Sequence, residues 1–265
     1  MINRTLEIML NRHSVRKYAD QPISSDDKHR LFNCAMRAPT AGNLMLYSMI
    51  EVSDQKLKDR LAVTCDNQPF IAKAPLVVLF LADYQRMFDY YLAFEADKWA
   101  EKNGMKFRSP EEGDLLLAVN DALIAAQSMV TAAESIGIGS CYIGDIMENF
   151  EEHRDMFNLP RYVFPITLLC FGHILHSEKP RRQIPRLDEK FVHFENTYKS
   201  FDDADLVHLM DKTEEWQYQG RPHVYEEGNI GCNLYKRKYA ADYSIEMNRS
   251  VRAALENWKK DKNLQ

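Results

Sequence analysis

At 265 residues, 45% hydrophobic and 28% charged, the chain has the composition of an ordinary globular protein. It is long enough for one large domain, or one domain with an appended arm. A formal net charge of −5 leaves no face-wide basic excess to displace the counterions of a nucleic acid. The five cysteines, Cys34, Cys65, Cys141, Cys170 and Cys232, are odd in number and lack C-x-x-C spacing. That pattern points to free thiols in a reducing cytoplasm rather than a disulfide framework. Met1 to Leu6 carries no long apolar stretch of a signal peptide, and the best apolar run, Pro75 to Ala82, is strand-sized. The expectation is a soluble protein with no membrane partner.

Leu6, Ile8, Met9 and Leu10 predict a short first helix ending near Asn11, directly before Arg12-His13-Ser14-Val15-Arg16-Lys17-Tyr18. Two arginines around a serine offer planar forks of donors and a hydroxyl, suited to phosphate oxygens and ring carbonyls. Alone, such a basic run is more often solvated surface. Ser24-Ser25-Asp26-Asp27 has the form of an N-cap with an acidic first turn, opening a helix through Leu31, Phe32 and Ala35. Pro39 and Gly42 break that pattern, leaving Ala38-Pro39-Thr40-Ala41-Gly42-Asn43 as a loop. A strand over Met45 to Val52 and a helix over Gln55 to Val63 follow.

Pro75 to Ala82 and Pro165 to Gly172 are apolar throughout and read as strands buried on both faces. Residues 86–107 mix Phe88, Tyr90, Tyr91, Phe94 and Trp99 with charges, a helical excursion that either covers a pocket or is plain surface. Asp114 to Ile136 reads as a long helix whose leucines and alanines cover much of its circumference. Such a helix is buried in a core or against a partner subunit. After Tyr198 the chain turns polar, with helices expected over Asp202 to Tyr218 and Tyr243 to Lys260 around a loop at 220–231.

Gly137-Ile138-Gly139-Ser140-Cys141-Tyr142-Ile143-Gly144-Asp145 has three glycines in eight positions. One reading is backbone brought close to a ligand; the other is a helix C-cap and a tight turn into a strand. The second accounts for Gly137 and leaves Gly144 unexplained. Because the glycines follow a helix instead of opening one, this is no dinucleotide fingerprint. No P-loop, H-E-x-x-H or G-x-S-x-G pattern is present. His173 and His176 have no ligand-spaced partner, so no metal is expected. Cys141 reads as a small buried hydrophobe rather than a nucleophile.

Five motifs stand in order: Arg12-x-Ser14-x-Arg16; Ala38 to Asn43; Asn67-Gln68 before an apolar strand; Glu134 to Gly139 with Tyr142-Ile143-Gly144; and Lys179-Pro180-Arg181. Together, from about residue 4 to Tyr198, they resemble the FMN-dependent nitroreductase and flavin reductase superfamily, most of all its NADPH-linked oxygen-insensitive branch. The resemblance implies an α+β sandwich, a mainly antiparallel sheet flanked by helices, in an intertwined homodimer. Residues 1–200 would form the FMN-binding domain, with the helical excursion at about 86–110, and 201–265 a helical extension wrapping the partner. Arg12, His13, Ser14 and Arg16 would contact the FMN phosphate and pyrimidine end. Thr40, Ala41, Gly42 and Asn43 would line the flavin from the partner subunit, and Gln68 its polar edge. Tyr142, Ile143 and Gly144 would pass the ring, the Gly144 amide donating to N5, while Lys179 and Arg181 complete the phosphate site.

The sequence departs from that pattern in four places. Thr40-Ala41-Gly42-Asn43 stands where the branch has a serine-rich loop. Asp145 replaces a second glycine, putting a carboxylate near the flavin, and Arg182 competes with Arg181. The C-terminal third, which would choose NADPH or NADH, matches poorly; Arg221, Arg237 and Lys238 are its candidates for a 2′-phosphate. The chemistry implied is hydride transfer from NAD(P)H through flavin N5 to a small electron-poor acceptor by a ping-pong cycle, with Arg16 and Gly144 as the catalytic groups. The competing readings are a flavin-binding or flavin-sequestering regulatory protein with little turnover, and a dehalogenating or flavin-destroying relative on the same fold.

Overall fold

The two apolar runs pair with each other at the centre of an antiparallel sheet. The computed structural model describes residues 3–175, 183–219, 221, 225 and 228–259. Its strands are β1 (Tyr47–Glu51), β2 (Leu76–Asp83), β3 (Ile138–Ile143) and β4 (Val163–His173), in the order β1-β2-β4-β3. All of β2, and all of β4 except His173, is buried, as continuous apolar runs require. β4 begins two residues before the expected start, so Pro165 lies inside a central strand. Phe80 faces Thr167 while Leu81 faces Pro165, leaving Ile166 as the extra residue of a bulge. A proline, which cannot donate to the ladder, is tolerated in a strand interior at such a point.

Helices cover both faces. One face packs on α2 (Ser25–Met36) and α7 (Glu112–Ser135), with Leu31, Phe80, Ala122, Met129 and Phe171 in a single apolar cluster. The other packs on α3 (Gln55–Thr64) and α4 (Phe70–Lys73), joining Leu61, Ile71, Leu79 and Leu168. Ser24 caps α2 by accepting from the Asp27 amide at 3.1 Å. The buried alanines of α7 bring its backbone close to the sheet. Among the described residues α7 alone is long and apolar enough to span a bilayer by length and composition, although its alanine stripe lies on the sheet. Leu116, Leu117, Leu123 and Ile124 point outward and are exposed.

α1 (Arg4–Asn11) precedes the sheet, and α8 (Phe150–Met156) links β3 to β4. The aromatic excursion is two helices, α5 (Gln85–Ala93) and α6 (Ala96–Lys102), divided at Glu95, whose φ is +55°. Backbone contacts divide the chain into two units, Met1–His176 with Ile245–Gln265, and Ser177–Ser244. The second unit holds α9 (Asp203–Leu206), α10 (Asp211–Tyr218) and α11 (Ile230–Leu234). The single helix expected over Asp202 to Tyr218 is broken at Val207 to Met210, where His208 Nδ1 lies 2.9 Å from the Asp211 carboxylate. Arg237 and Lys238 are exposed in the turn after α11.

The last helix, α12 (Asp242–Lys259), sends Trp258 into the apolar cluster of the first unit, where it is 2% exposed. Its ring meets Tyr162 edge-on at 5.3 Å, and its indole donates to Glu111 O at 3.2 Å. Trp258→Ala should destabilise the protein by about 3–5 kcal/mol. Chemical denaturation checks this, and a loss under about 1 kcal/mol, the scale of a surface substitution, would contradict the packing.

Candidate functional site

The Arg12–Tyr18 segment runs from the free edge of β3 to the end of β4. Ser14 pairs with Ser140, Val15 N–H donates to Ser140 O at 2.8 Å, and Ala19 N–H donates to His173 O at 2.9 Å. Two glycines make room for it. A Cβ at Gly139 would lie 2.6 Å from Val15 Cγ2, and one at Gly172 would lie 2.6 Å from the Tyr18 ring. Gly137, at φ +79°, follows the end of α7, where only glycine is unstrained. Gly144 is different, because a Cβ there would meet nothing within 4 Å. The residue that local structure leaves unexplained therefore borders open space.

Four of the expected groups converge here. The Cys141 thiol is pushed up by burial and opposed by Arg16, by a hydrogen bond with Ser14 and by Arg12, while Asp145 reinforces the rise. The two guanidinium groups, the serine and the Asp145 carboxylate thus share one neighbourhood. Arg16 is exposed, with its guanidinium carbon 5.9 Å from the Phe70 ring centroid. Burial raises the Glu134 carboxyl and Arg12 opposes the rise, so Arg12 faces α7. His13 Nδ1 lies 3.4 Å from Asn11 O. Gln68 donates from Nε2 to Asp145 Oδ2 at 2.7 Å and to Cys65 O at 3.0 Å. Both partners can only accept, so its carbonyl is what remains for a ligand. Tyr142 is half-buried, its hydroxyl donating to Gln127 Oε1 at 3.2 Å, and Ile143 is in the core. It is the backbone at this strand end, not these side chains, that is left to face a ligand.

The loop holding Thr40, Ala41, Gly42 and Asn43 is not brought to this place. It leads into β1, at the opposite edge of the sheet. From Ser14, beside β3, to β1 is four strand spacings of about 4.8 Å, roughly 19 Å. Gly42 and Asn43 have φ of +55° and +58°. Asp121, a residue the sequence reading missed, fastens the loop to α7: it accepts from Ala41 N–H at 2.9 Å and from Leu46 N–H at 3.0 Å. It is 2% exposed. A lone carboxylate within an apolar helix was the signal, since a buried charge needs donors. Lys179 and Arg181, with the competing Arg182, lie outside the described residues.

Beyond Gly144 the chain makes a tight turn, Gly144–Met147, held from several sides. Glu148 N–H donates to Asp145 O at 3.0 Å. On α12, Ser250 accepts from Phe150 N–H at 2.8 Å and donates to Met147 O at 2.6 Å, and Glu246 accepts from Asn149 N–H at 3.2 Å. His153 is wholly buried between Ile146 O and Thr64 Oγ1, at 2.9 and 2.8 Å, and burial lowers its pKa. The Glu148 carboxyl is only 5% exposed. Burial, then the charges of Asp145, Asp66 and Glu246, and a hydrogen bond with Asp145 push it up to about 8. Among the described residues no group of His, Cys, Asp or Glu is arranged to hold a metal ion.

Residues 9–173, which hold the Arg-Ser-Arg segment, the Asp121-anchored loop and the Gly144 turn, match the family model for the nitroreductase family. The chain belongs to the nitroreductase family. It is 33% identical over 256 residues to an FMN reductase (NADPH) of Bacillus subtilis, covering 92% of this chain and 98% of that one. It is 30% identical over 244 residues to a Cr(VI) reductase of Pseudomonas sp., covering 92% and 93%. Among solved structures, NfrA2 of B. megaterium superposes with a TM-score of 0.78 at 26% identity, covering 97% of each chain. NfrA1 nitroreductase of B. subtilis gives 0.70 at 30% identity, covering 92% and 98%. The sandwich expected from the sequence is the family fold.

The buried carboxyl of this nitroreductase-family chain has a consequence for stability. Glu148 keeps its proton in the folded protein up to about 8, against an ordinary value of 4.5. Its contribution is therefore full below the ordinary value and is lost as pH rises through about 8. Thermal melts from pH 5 to 8.5 should show Glu148→Gln gaining on the wild type as pH rises; parallel curves would contradict the assignment.

Proposed function

We propose that this nitroreductase-family chain is an FMN-dependent oxidoreductase that carries hydride from NAD(P)H to small electron-poor acceptors, such as nitroaromatics, quinones or flavins, in a ping-pong cycle. The observation that carries this reading is the Arg-Ser-Arg segment lying beside open backbone at Gly144. The residues present fit FMN. Arg12, Ser14 and Arg16 are donors for its phosphate and the carbonyls of its ring, the Gln68 carbonyl suits a ring N–H, and a glycine lets a flat ring approach the main chain. The name FMN reductase (NADPH) of one relative supports the flavin and the reductant, and the name Cr(VI) reductase of another supports a small electron acceptor. Bound there, FMN would supply the hydride-carrying N5, with the Gly144 amide as its proposed donor.

Arg16 is assigned the main electrostatic role. Its charge would stabilise the negative charge that reduction leaves near N1, in a pocket that screens less than water does. The 40–43 loop supports a homodimer, since the opposite edge of one sheet cannot reach the same ring but a second copy could bring it there. The exposed leucines and isoleucine on α7 support that helix as the seam. Lys179 and Arg181 are proposed to complete the phosphate site, in a cytoplasmic enzyme consistent with its free cysteines.

The test is direct. Purified protein should be yellow, bleach with NADPH and recolour with a nitroaromatic; colourless protein that stays so after incubation with FMN refutes the reading. Arg16→Ala should weaken FMN binding about tenfold or more, as loss of a charge-assisted contact does, and lower the midpoint potential of the bound flavin. Unchanged affinity and potential would remove Arg16 from the role.

A further inference from the structure

We infer that Glu148 and Asp145 form a proton-carrying pair that supplies the proton accompanying hydride transfer to the acceptor. This rests on the functional reading above and assigns this chain's own residues to the acid–base half of that reaction.

The pair runs from the interior to the open space. Glu148 is buried, Asp145 half-buried and Gly144 exposed, all within one turn. Among the described residues Glu148 Oε1 is buried with no hydrogen-bond partner, an arrangement costly for a carboxylate and tolerable for a neutral acid. The groups packed around it reinforce that choice. Asp145 lies on its own turn, Asp66 on the loop after α3, and Glu246 on α12. Glu246 is itself paired with Arg249 at 2.7 Å, which Glu151 also holds at 2.8 Å. His153 of α8 is committed to Ile146 O and Thr64 Oγ1. Asp145 meanwhile accepts from Gln68 at 2.7 Å. One proton therefore sits on Glu148 and is shared with Asp145, as in other close carboxyl pairs.

The step balances. A quinone takes one hydride from the bound reductant on one oxygen and one proton from the carboxyl pair on the other, so two O–H bonds form and the product is the hydroquinone. Glu148 passes its proton to Asp145, whose new O–H bond breaks as the quinone oxygen takes that proton, and Glu148 is reloaded from water. Reduction by NADPH consumes no proton, so the pair matters in only one half of the cycle.

The two halves can be timed separately by stopped-flow absorbance on the flavin-loaded protein, with benzoquinone as acceptor. Wild-type reoxidation should slow as pH rises past about 8 and show a solvent isotope effect. Glu148→Gln and Asp145→Asn should each slow reoxidation at pH 7 at least tenfold and abolish both dependences; Glu148→Asp should recover part of the rate. The infrared spectrum, read without turnover, should show a protonated-carboxyl band at pH 7 that fades on alkaline titration and is missing from Glu148→Gln. Reoxidation in both variants with the wild-type pH profile and isotope effect overturns the proposal, as does absence of the band. Failure of the wild type to bleach with NADPH sinks the functional reading instead, and the donor role with it.

Discussion

The Arg12–Tyr18 segment can pass from the edge of β3 to the end of β4 because Gly139 and Gly172, paired across those strands, present no side chains to it. Val15 and Tyr18 occupy the space that two methyl groups would fill. Their packing fixes the heights and directions of Arg12, Ser14 and Arg16, which lie on the same seven-residue stretch. Three polar side chains near a helix end would otherwise be solvated and mobile. Laid on a buried sheet, they become a fixed set of donors beside Gly144, the kind of preorganisation that electrostatic binding requires. The central strands matter to function chiefly by holding that edge still.

The same logic extends along the chain. Asp121 holds the 40–43 loop at the other edge of the sheet, and α12 closes on the turn after Gly144 through Glu246 and Ser250. The C-terminal helix thus reaches the candidate site through ordinary hydrogen bonds and is anchored by Trp258. Sequence-distant elements converge on two short stretches of main chain. Such convergence suits chemistry done by a bound coenzyme, where the protein supplies position and charge rather than a nucleophile.

Much of this was legible in the sequence, and the reasons differ by element. The buried strands and α7 announce themselves because burial on all sides removes the polar residues that would break the run. The Ser24 cap and the Gly137 stop follow from local backbone chemistry. The Arg-Ser-Arg segment could be named as a candidate, but its seat on β3 depends on Gly139 and Gly172, which lie far from it in sequence. Pro165 concealed the true start of β4 because the bulge that admits it is set by pairing with β2. Asp121 could be noticed only as a carboxylate within an apolar helix, and Glu148 not at all. Their roles come from burial and from amides and carboxylates contributed by other elements, which no local pattern encodes. The division of the aromatic excursion at Glu95 rests on one residue's left-handed backbone, equally invisible in composition.

The central claim is that the bare glycine pair of β3 and β4 seats the donor segment on which coenzyme binding depends. The affinity of Gly139→Ala for FMN, by fluorescence titration, tests it most directly. The single variant should bind at least tenfold more weakly, and adding Val15→Ala, which vacates the contested space, should recover much of that loss. Wild-type affinity in Gly139→Ala, or a loss that Val15→Ala leaves untouched, would contradict the account.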